Sequence, residues 1–153
     1  MDLTEALKII ISGTIGTLAF SMIFRANKKR VFCNCIGGAI TCAVYVLLCA
    51  NTDNMFMQNL FPALFATAFA EVMARVMKAP ATPILACSII PLVPGGKLYY
   101  TTYYFVTSEM DKFHETFMET INIAAGLAVG IICISVIVHE INHHKYKNIL
   151  DRD

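Results

Sequence analysis

The hydrophobic residues of this chain form long uncharged runs separated by short polar stretches. Residues 9–24, 31–50 and 120–138 contain no charged residue, and another apolar run extends from Met55 to the charged Glu71. A helix needs about 20 apolar residues to cross the hydrocarbon core of a bilayer. The pattern therefore predicts membrane-spanning helices.

We predict an all-α integral membrane protein with about five transmembrane helices, the fourth broken at a Pro/Gly motif. Residues 1–153 are expected to form a single transmembrane domain in the lipid bilayer. The predicted spans lie at about residues 6–25, 31–50, 55–77, 83–106 and 118–139.

The fourth span is unsuited to a continuous helix. Pro91 and Pro94 each lack a backbone donor, Gly95 and Gly96 loosen the chain, and Lys97 adds a charge at or near membrane depth. A break inside a membrane is tolerated where the freed backbone groups face protein or a water-filled cavity, and in transporters it often marks the substrate site. The alternative is a helix–loop–helix corner at the membrane surface.

Composition supports the membrane class and excludes another. The chain is 57% hydrophobic and 15% charged, against about 25% charged residues in soluble domains. A net charge of +1, with no basic stripe carrying interleaved aromatic residues, excludes nucleic acid as a partner. The six cysteines lie almost wholly in apolar runs and are expected to pack as small hydrophobic residues.

The distribution of lysine and arginine predicts the orientation. With the N-terminus outside and five crossings, nine of these residues lie inside and two, Lys8 and Lys112, lie outside. The predicted inside residues are Arg25, Lys28, Lys29, Arg30, Arg75, Lys78, Lys145, Lys147 and Arg152. We therefore expect a multi-pass protein of the cell membrane with its C-terminus in the cytoplasm.

Two further patterns concern the last helix. Ser108-Glu-Met-Asp111 is typical of a capping box that opens a short helix, which lies in the interface or leads directly into the last span. Gly126 and Gly130 predict close packing, within the chain or between chains.

Four tyrosines follow the break. Tyr99, Tyr100, Tyr103 and Tyr104 could line a polar cavity, or they could form an aromatic belt at the membrane interface. Lys97 and the free amides of the restarting helix could hold a carboxylate.

Polar residues in other spans are also candidates for a substrate pathway. Glu71 and Arg75, spaced i and i+4, could neutralise each other or line a cavity. Asn122 could bind another helix or the substrate. For a transporter we expect Glu71 and the tyrosines to converge on one cavity.

His139-Glu-Ile-Asn-His143 has the H-E-x-x-H pattern of a zinc metallopeptidase. A catalytic zinc site needs a third protein ligand. Beyond a distant acid the sequence offers His114, which the charge count places on the opposite side of the membrane, and His144. We therefore expect no metal, no cofactor and no catalytic residue, and a protein that is not an enzyme.

Several motifs together resemble the threonine/serine exporter (ThrE) family, most closely its small YjjB-type subunit. They are Glu71-x-x-x-Arg75, Ala79-Pro80-x-Thr82, and Ile90-Pro91-Leu-Val-Pro94-Gly95-Gly96 running into Tyr99-Tyr100. The resemblance covers nearly the whole chain.

The resemblance implies export of small polar metabolites from the cytoplasm, driven by an ion or proton gradient. The substrates would be threonine and serine or short dicarboxylates such as succinate. It also implies a larger membrane half of the same family as partner, in a hetero- or homo-oligomer. The alternatives are a non-catalytic assembly or scaffold protein and, as a weaker hypothesis, an intramembrane zinc metallopeptidase.

Overall fold

Our computed structural model describes residues 3–150 of the chain, with side chains for residues 3–144. All regular structure in this part of the chain is helical, which confirms the predicted all-α class. The elements are α1 (Leu3–Ile23), α2 (Lys28–Asn51), α3 (Met55–Met77), α4 (Ala81–Ile89) with a 3-10 turn (Ile90–Leu92), α5 (Gly95–Val106) and α6 (Met110–Leu150).

The predicted count of about five transmembrane helices agrees with the four to five candidate spans among the described residues. Between residues 3 and 150, four helices are long and apolar enough to cross a membrane: α1, α2, α3 and α6. The α4 helix with its 3-10 turn meets the same criteria together with α5, and the two halves are bent by 59°. These two halves lie where the broken fourth helix was predicted, and their bend fits a broken span or a re-entrant loop.

Prolines and short turns shape the break itself. Pro91 lies in the 3-10 turn, and Pro94 is the residue before the first turn of α5. The amide of Val93 donates to the carbonyl of Ile90 at 3.1 Å, and the amide of Gly95 donates to Val93 at 2.7 Å. Regular helical bonding resumes where Leu98 donates to Pro94 at 2.9 Å.

The predicted capping box is wrong. Ser108 has a positive φ of 61° and donates its amide to Phe105, while Glu109 donates to Tyr104, so both residues terminate α5. The first helical bond of α6 runs instead from Phe113 to Glu109. A left-handed residue is needed here because three residues must reverse the chain between two antiparallel helices. The α6 helix then continues without a break into the last span.

The polarity of the bundle is that of a protein surrounded by lipid. Large apolar side chains such as Ile15, Phe32 and Val76 are exposed. The buried polar residues are Thr17, Ser21, Asn34, Thr41, Asn59, Thr67, Ser88 and Thr101. Lipid is as apolar as leucine, so helices associate there through small residues and interhelical hydrogen bonds.

The α3 and α6 helices run parallel and touch through glycine. A Cβ atom added to Gly126 would lie 2.6 Å from the carbonyl oxygen of Phe56. One added to Gly130 would lie 2.7 Å from the Cβ atom of Ala63 and 2.8 Å from the carbonyl oxygen of Leu60. The close packing predicted from these glycines therefore occurs within the chain.

Replacing Gly130 with alanine should separate α3 from α6. We expect Gly130→Ala to destabilise the purified protein by about 1–3 kcal/mol, as overpacking does, measured as the unfolding free energy in detergent micelles. Gly16→Ala is the matched control, because a Cβ atom there meets no described atom within 4 Å. The control should be neutral or stabilising by up to about 1 kcal/mol, the helix preference of alanine over glycine. Equal effects of the two substitutions would contradict the packing described here.

Candidate functional site

A cavity of about 840 Å³ lies between the break, α1 and the α5–α6 pair, and is open to the surface of the bundle. We call it the break cavity. Six of the eleven predicted site residues line it: Pro91, Pro94, Gly95, Gly96, Lys97 and Tyr100. The sequence prediction thus locates the part of the chain that forms the cavity.

The bend between α4 and α5 accounts for the space. Pro91 packs against Gly13, the middle residue of α1, where an added Cβ atom would lie 3.2 Å from the Cβ atom of Pro91. Beyond this contact α5 departs at 59°. Gly95 and Gly96 add no side chain to the gap, and a Cβ atom on either would meet no described atom within 4 Å.

Lys97 is paired with an acid that the sequence analysis did not select. Its Nζ atom lies 2.5 Å from Oε2 of Glu119 on α6, and the Glu119 side chain is 22% exposed. A charge in an apolar bundle requires a compensating charge. That requirement is the signal that could have identified Glu119, which lies within the predicted fifth span at residues 118–139.

The tyrosines divide between the cavity and the surface. Tyr100 and Tyr104 line the break cavity with their rings stacked at a centroid distance of 6.2 Å. Tyr99 and Tyr103 lie outside the cavity lining; Tyr99 is 66% exposed, whereas Tyr103 at 48% and Tyr100 at 51% are exposed to a similar degree. The rotation of α5 is set by its contacts with α6, which include a hydrogen bond of 3.2 Å between the hydroxyls of Thr101 and Thr120.

Other helices add polar groups that sequence reasoning missed. Ser12 of α1, Tyr45 of α2 and Asn59 of α3 line the break cavity together with Thr116 of α6. Each is a polar residue within or beside an apolar run, which is a weak signal when the facing helix is unknown. The site therefore combines five helices around one cavity.

The remaining predicted site residues lie elsewhere. Glu71 and Arg75 form an ion pair of 3.4 Å, and Arg75 also donates to the Glu71 carbonyl oxygen at 2.8 Å. Glu71 follows Asn59 by twelve residues, about 18 Å along α3 at 1.5 Å per residue. Asn122 is exposed on α6. The expected convergence of Glu71 with the tyrosines does not occur in this structure.

The H-E-x-x-H sequence lies on the exposed surface of α6. His139, Glu140 and His143 are all exposed, and Glu140 lies 3.6 Å from His144. Among the residues described, no three His, Cys, Asp or Glu side chains are close enough together to hold a metal ion. The geometry therefore gives the metallopeptidase hypothesis no support.

Comparison with known proteins identifies a matching family. The family model described as "Threonine/Serine exporter, ThrE" matches residues 9–137 of the chain. The matched region runs from α1 into α6 and contains every residue that lines the break cavity. No curated protein and no solved structure matches the chain.

A double-mutant cycle tests the Lys97–Glu119 pair. Lys97→Met and Glu119→Met should each destabilise the protein, because each leaves one charge without its partner. The double variant should recover part of the loss, with a coupling energy of about 1 kcal/mol or more in micelle unfolding. The matched control is the more exposed pair Lys112–Glu109, at 2.7 Å and three residues apart in sequence, for which we expect a much smaller coupling. Equal coupling in both cycles would refute a special role for Lys97 and Glu119 in the fold.

Proposed function

Since the chain belongs to the threonine/serine exporter family, we propose that it is the small membrane subunit of a secondary exporter. The family gives the chain an exporter-type transport role, and it is a family of transporters rather than of enzymes. We propose that the subunit works with a larger membrane half of the same family. The solutes would be threonine and serine or short dicarboxylates, moved out of the cytoplasm.

The break cavity is the observation that carries this proposal. Pockets for small ligands typically measure about 300–1,000 Å³, and the break cavity holds about 840 Å³. It is formed where a membrane helix is interrupted, as substrate sites of secondary transporters commonly are. We therefore assign it as the substrate site.

The charged and polar groups of the cavity suit a small polar solute. Lys97 could bind a carboxylate, and the amides of Gly96 and Lys97 are available to the same anion because regular helical bonding begins at Leu98. Glu119, next to Lys97, could bind an ammonium group. The hydroxyls of Ser12, Tyr100 and Tyr104 could exchange hydrogen bonds with the rest of the solute.

We propose a partner because the chain has few helices that could move relative to one another. Alternating access requires one helical unit to rock against another, whereas this chain has at most five candidate spans between residues 3 and 150. The break cavity is also open to the surface of the bundle. A larger half placed against this opening would enclose the solute.

The proposed orientation has the N-terminus outside and the C-terminus in the cytoplasm. Lys28, Lys29, Arg30 and Lys78 line a second cavity of about 860 Å³, at the end of the bundle where α1 and α3 finish. We call it the basic cavity. The positive-inside rule places this end in the cytoplasm. The side chains of Lys145, Lys147 and Arg152, which also entered the charge count, lie outside the described residues.

Efflux from cells tests the function. Cells producing this chain, its larger partner or both are loaded with threonine- or serine-containing dipeptides, and amino-acid release is measured. We expect rapid release when both chains are present. Tyr100→Phe should slow it about fivefold, the effect of losing about 1 kcal/mol of hydrogen bonding.

Thr102→Val is the matched control for Tyr100→Phe. It also removes a hydroxyl from α5, but Thr102 is exposed outside the cavity and bonds to the carbonyl of Leu98. We expect release at the unsubstituted rate. If no solute is released although the complex assembles, the exporter proposal fails and the scaffold hypothesis replaces it.

Reporter fusions test the proposed orientation. A green fluorescent protein fused after residue 153 should fluoresce, and alkaline phosphatase at the same position should be inactive, since that end is placed in the cytoplasm. A fusion after residue 53, between α2 and α3, serves as the comparison and should give the opposite pair of results. The same activity pattern at both positions would contradict the orientation.

A further inference from the structure

We propose that the interface between α1 and α2 is the closed part of the transport path, and that it passes a small, polar solute without net charge. We define the α1–α2 interface by four contacting residues, Thr17, Ser21, Asn34 and Gly38, together with Thr41, which is buried on α2 next to the contact residue Cys42. The inference rests on the proposed function, to which it adds the route and the charge class of the solute.

The two helices are antiparallel and touch at successive turns. Gly13 contacts Cys42, Thr17 contacts Gly38, and the Asn34 amide nitrogen donates to the Ser21 hydroxyl at 3.0 Å. From Gly13 to Ser21 the closed stretch is eight residues, or about 12 Å along the helix. Its side chains are small, so a modest separation of α1 from α2 would open it.

Two buried polar atoms in this interface lack partners. Neither Oδ1 of Asn34 nor Oγ1 of Thr41 has a hydrogen-bond partner among the described residues, although Asn34 is only 2% exposed and Thr41 is fully buried. Other buried hydroxyls are satisfied, as when Thr17 donates to Gly13 at 3.0 Å and Ser88 to Ile84 at 2.9 Å. Buried polar groups are normally bonded, and polar contacts that only hold two helices together would be paired. These two atoms are therefore available to a passing solute or to water.

Cavities adjoin the α1–α2 interface at both ends. The break cavity reaches Gly13, Gly16 and Cys42. At the other end a small cavity of about 100 Å³ is lined by Asn34 and by Arg30 and Pro80, which also line the basic cavity. The closed interface thus separates the proposed substrate site from the proposed cytoplasmic end.

The uncharged polar residues of the α1–α2 interface discriminate between solutes by their charge. Its five residues offer hydroxyls and an amide but no charge. A charged group costs free energy in such surroundings unless a compensating charge accompanies it. An α-amino acid carries one positive and one negative charge, which compensate each other. A dicarboxylate carries two negative charges and no positive charge. Among the two solute classes of the proposed function, the interface therefore favours the amino acids.

Thr41→Val tests the α1–α2 interface in the complex with the larger half. Valine has a similar shape and removes an unpartnered hydroxyl, so the thermal midpoint should stay equal or rise. Efflux of L-threonine should fall at least fivefold. Thr67→Val is the matched control, since Thr67 is equally buried but lies on α3 and donates to Ala63 at 2.7 Å. The control should keep the unsubstituted efflux rate.

Native cysteines provide a second measurement. Cys87 lines the small cavity and is fully buried, while Cys133 is exposed on α6. In variants retaining one of these cysteines, a membrane-impermeant methanethiosulfonate reagent is added from the side of the basic cavity. L-threonine should accelerate labelling of Cys87 at least fivefold, whereas Cys133, which lies in the apolar last span, should stay unlabelled with or without L-threonine.

The outcomes separate this inference from the proposed function. Normal L-threonine efflux in Thr41→Val, or unchanged Cys87 labelling in a complex that exports threonine, would overturn the route alone. Succinate efflux faster than L-threonine efflux would overturn the charge class. An unsubstituted complex that exports neither solute would overturn the proposed function and the route with it.

Discussion

A backbone that leaves the helical path inside an apolar bundle must find new partners for its amides and carbonyls, because lipid offers none. The break between α4 and α5 meets this constraint in two ways. Pro91 and Pro94 have no N–H group to satisfy. The amides of Val93 and Gly95 bond locally to carbonyls within the break. The chain can therefore bend by 59° without leaving these donors unpaired, and the bend creates the break cavity.

The rest of the bundle contrasts with the break in being closely packed. Gly126 and Gly130 bring α6 onto α3, and Gly13 and Gly38 bring α1 onto α2. Close contacts between small residues stabilise helices in lipid, where burial of apolar side chains provides no driving force. The two interfaces differ in hydrogen bonding, because the unsatisfied buried side-chain atoms among the described residues belong to Asn34 and Thr41 of α2. This difference is why we assign movement to α1–α2 and a fixed contact to α3–α6.

The sequence predicts the helices and the break well, because both depend on local signals. Uncharged runs give the spans, and Pro91 to Gly96 give the bend. Which residues belong to the site depends on the rotation of each helix about its axis and on contacts between residues far apart in the sequence. Neither can be read from the local sequence. Tyr100 faces the cavity and Tyr99 does not, because contacts with α6 fix the rotation of α5.

The errors have the same origin. Glu119 was missed because it pairs with Lys97 across 22 residues, and Glu71 was expected in a cavity that forms at the other end of α3. Ser108 matches a capping pattern but terminates the preceding helix instead.

The unbroken α6 helix has a further mechanical consequence. Its contact with α3 at Gly126 and Gly130 lies about 27 Å from its first turn, at 1.5 Å per residue. If α6 rotated about this fixed contact, a tilt of about 10° would displace the turn between α5 and α6 by about 5 Å. A small rotation of α6 would thereby produce a larger displacement of the α5 residues that line the break cavity.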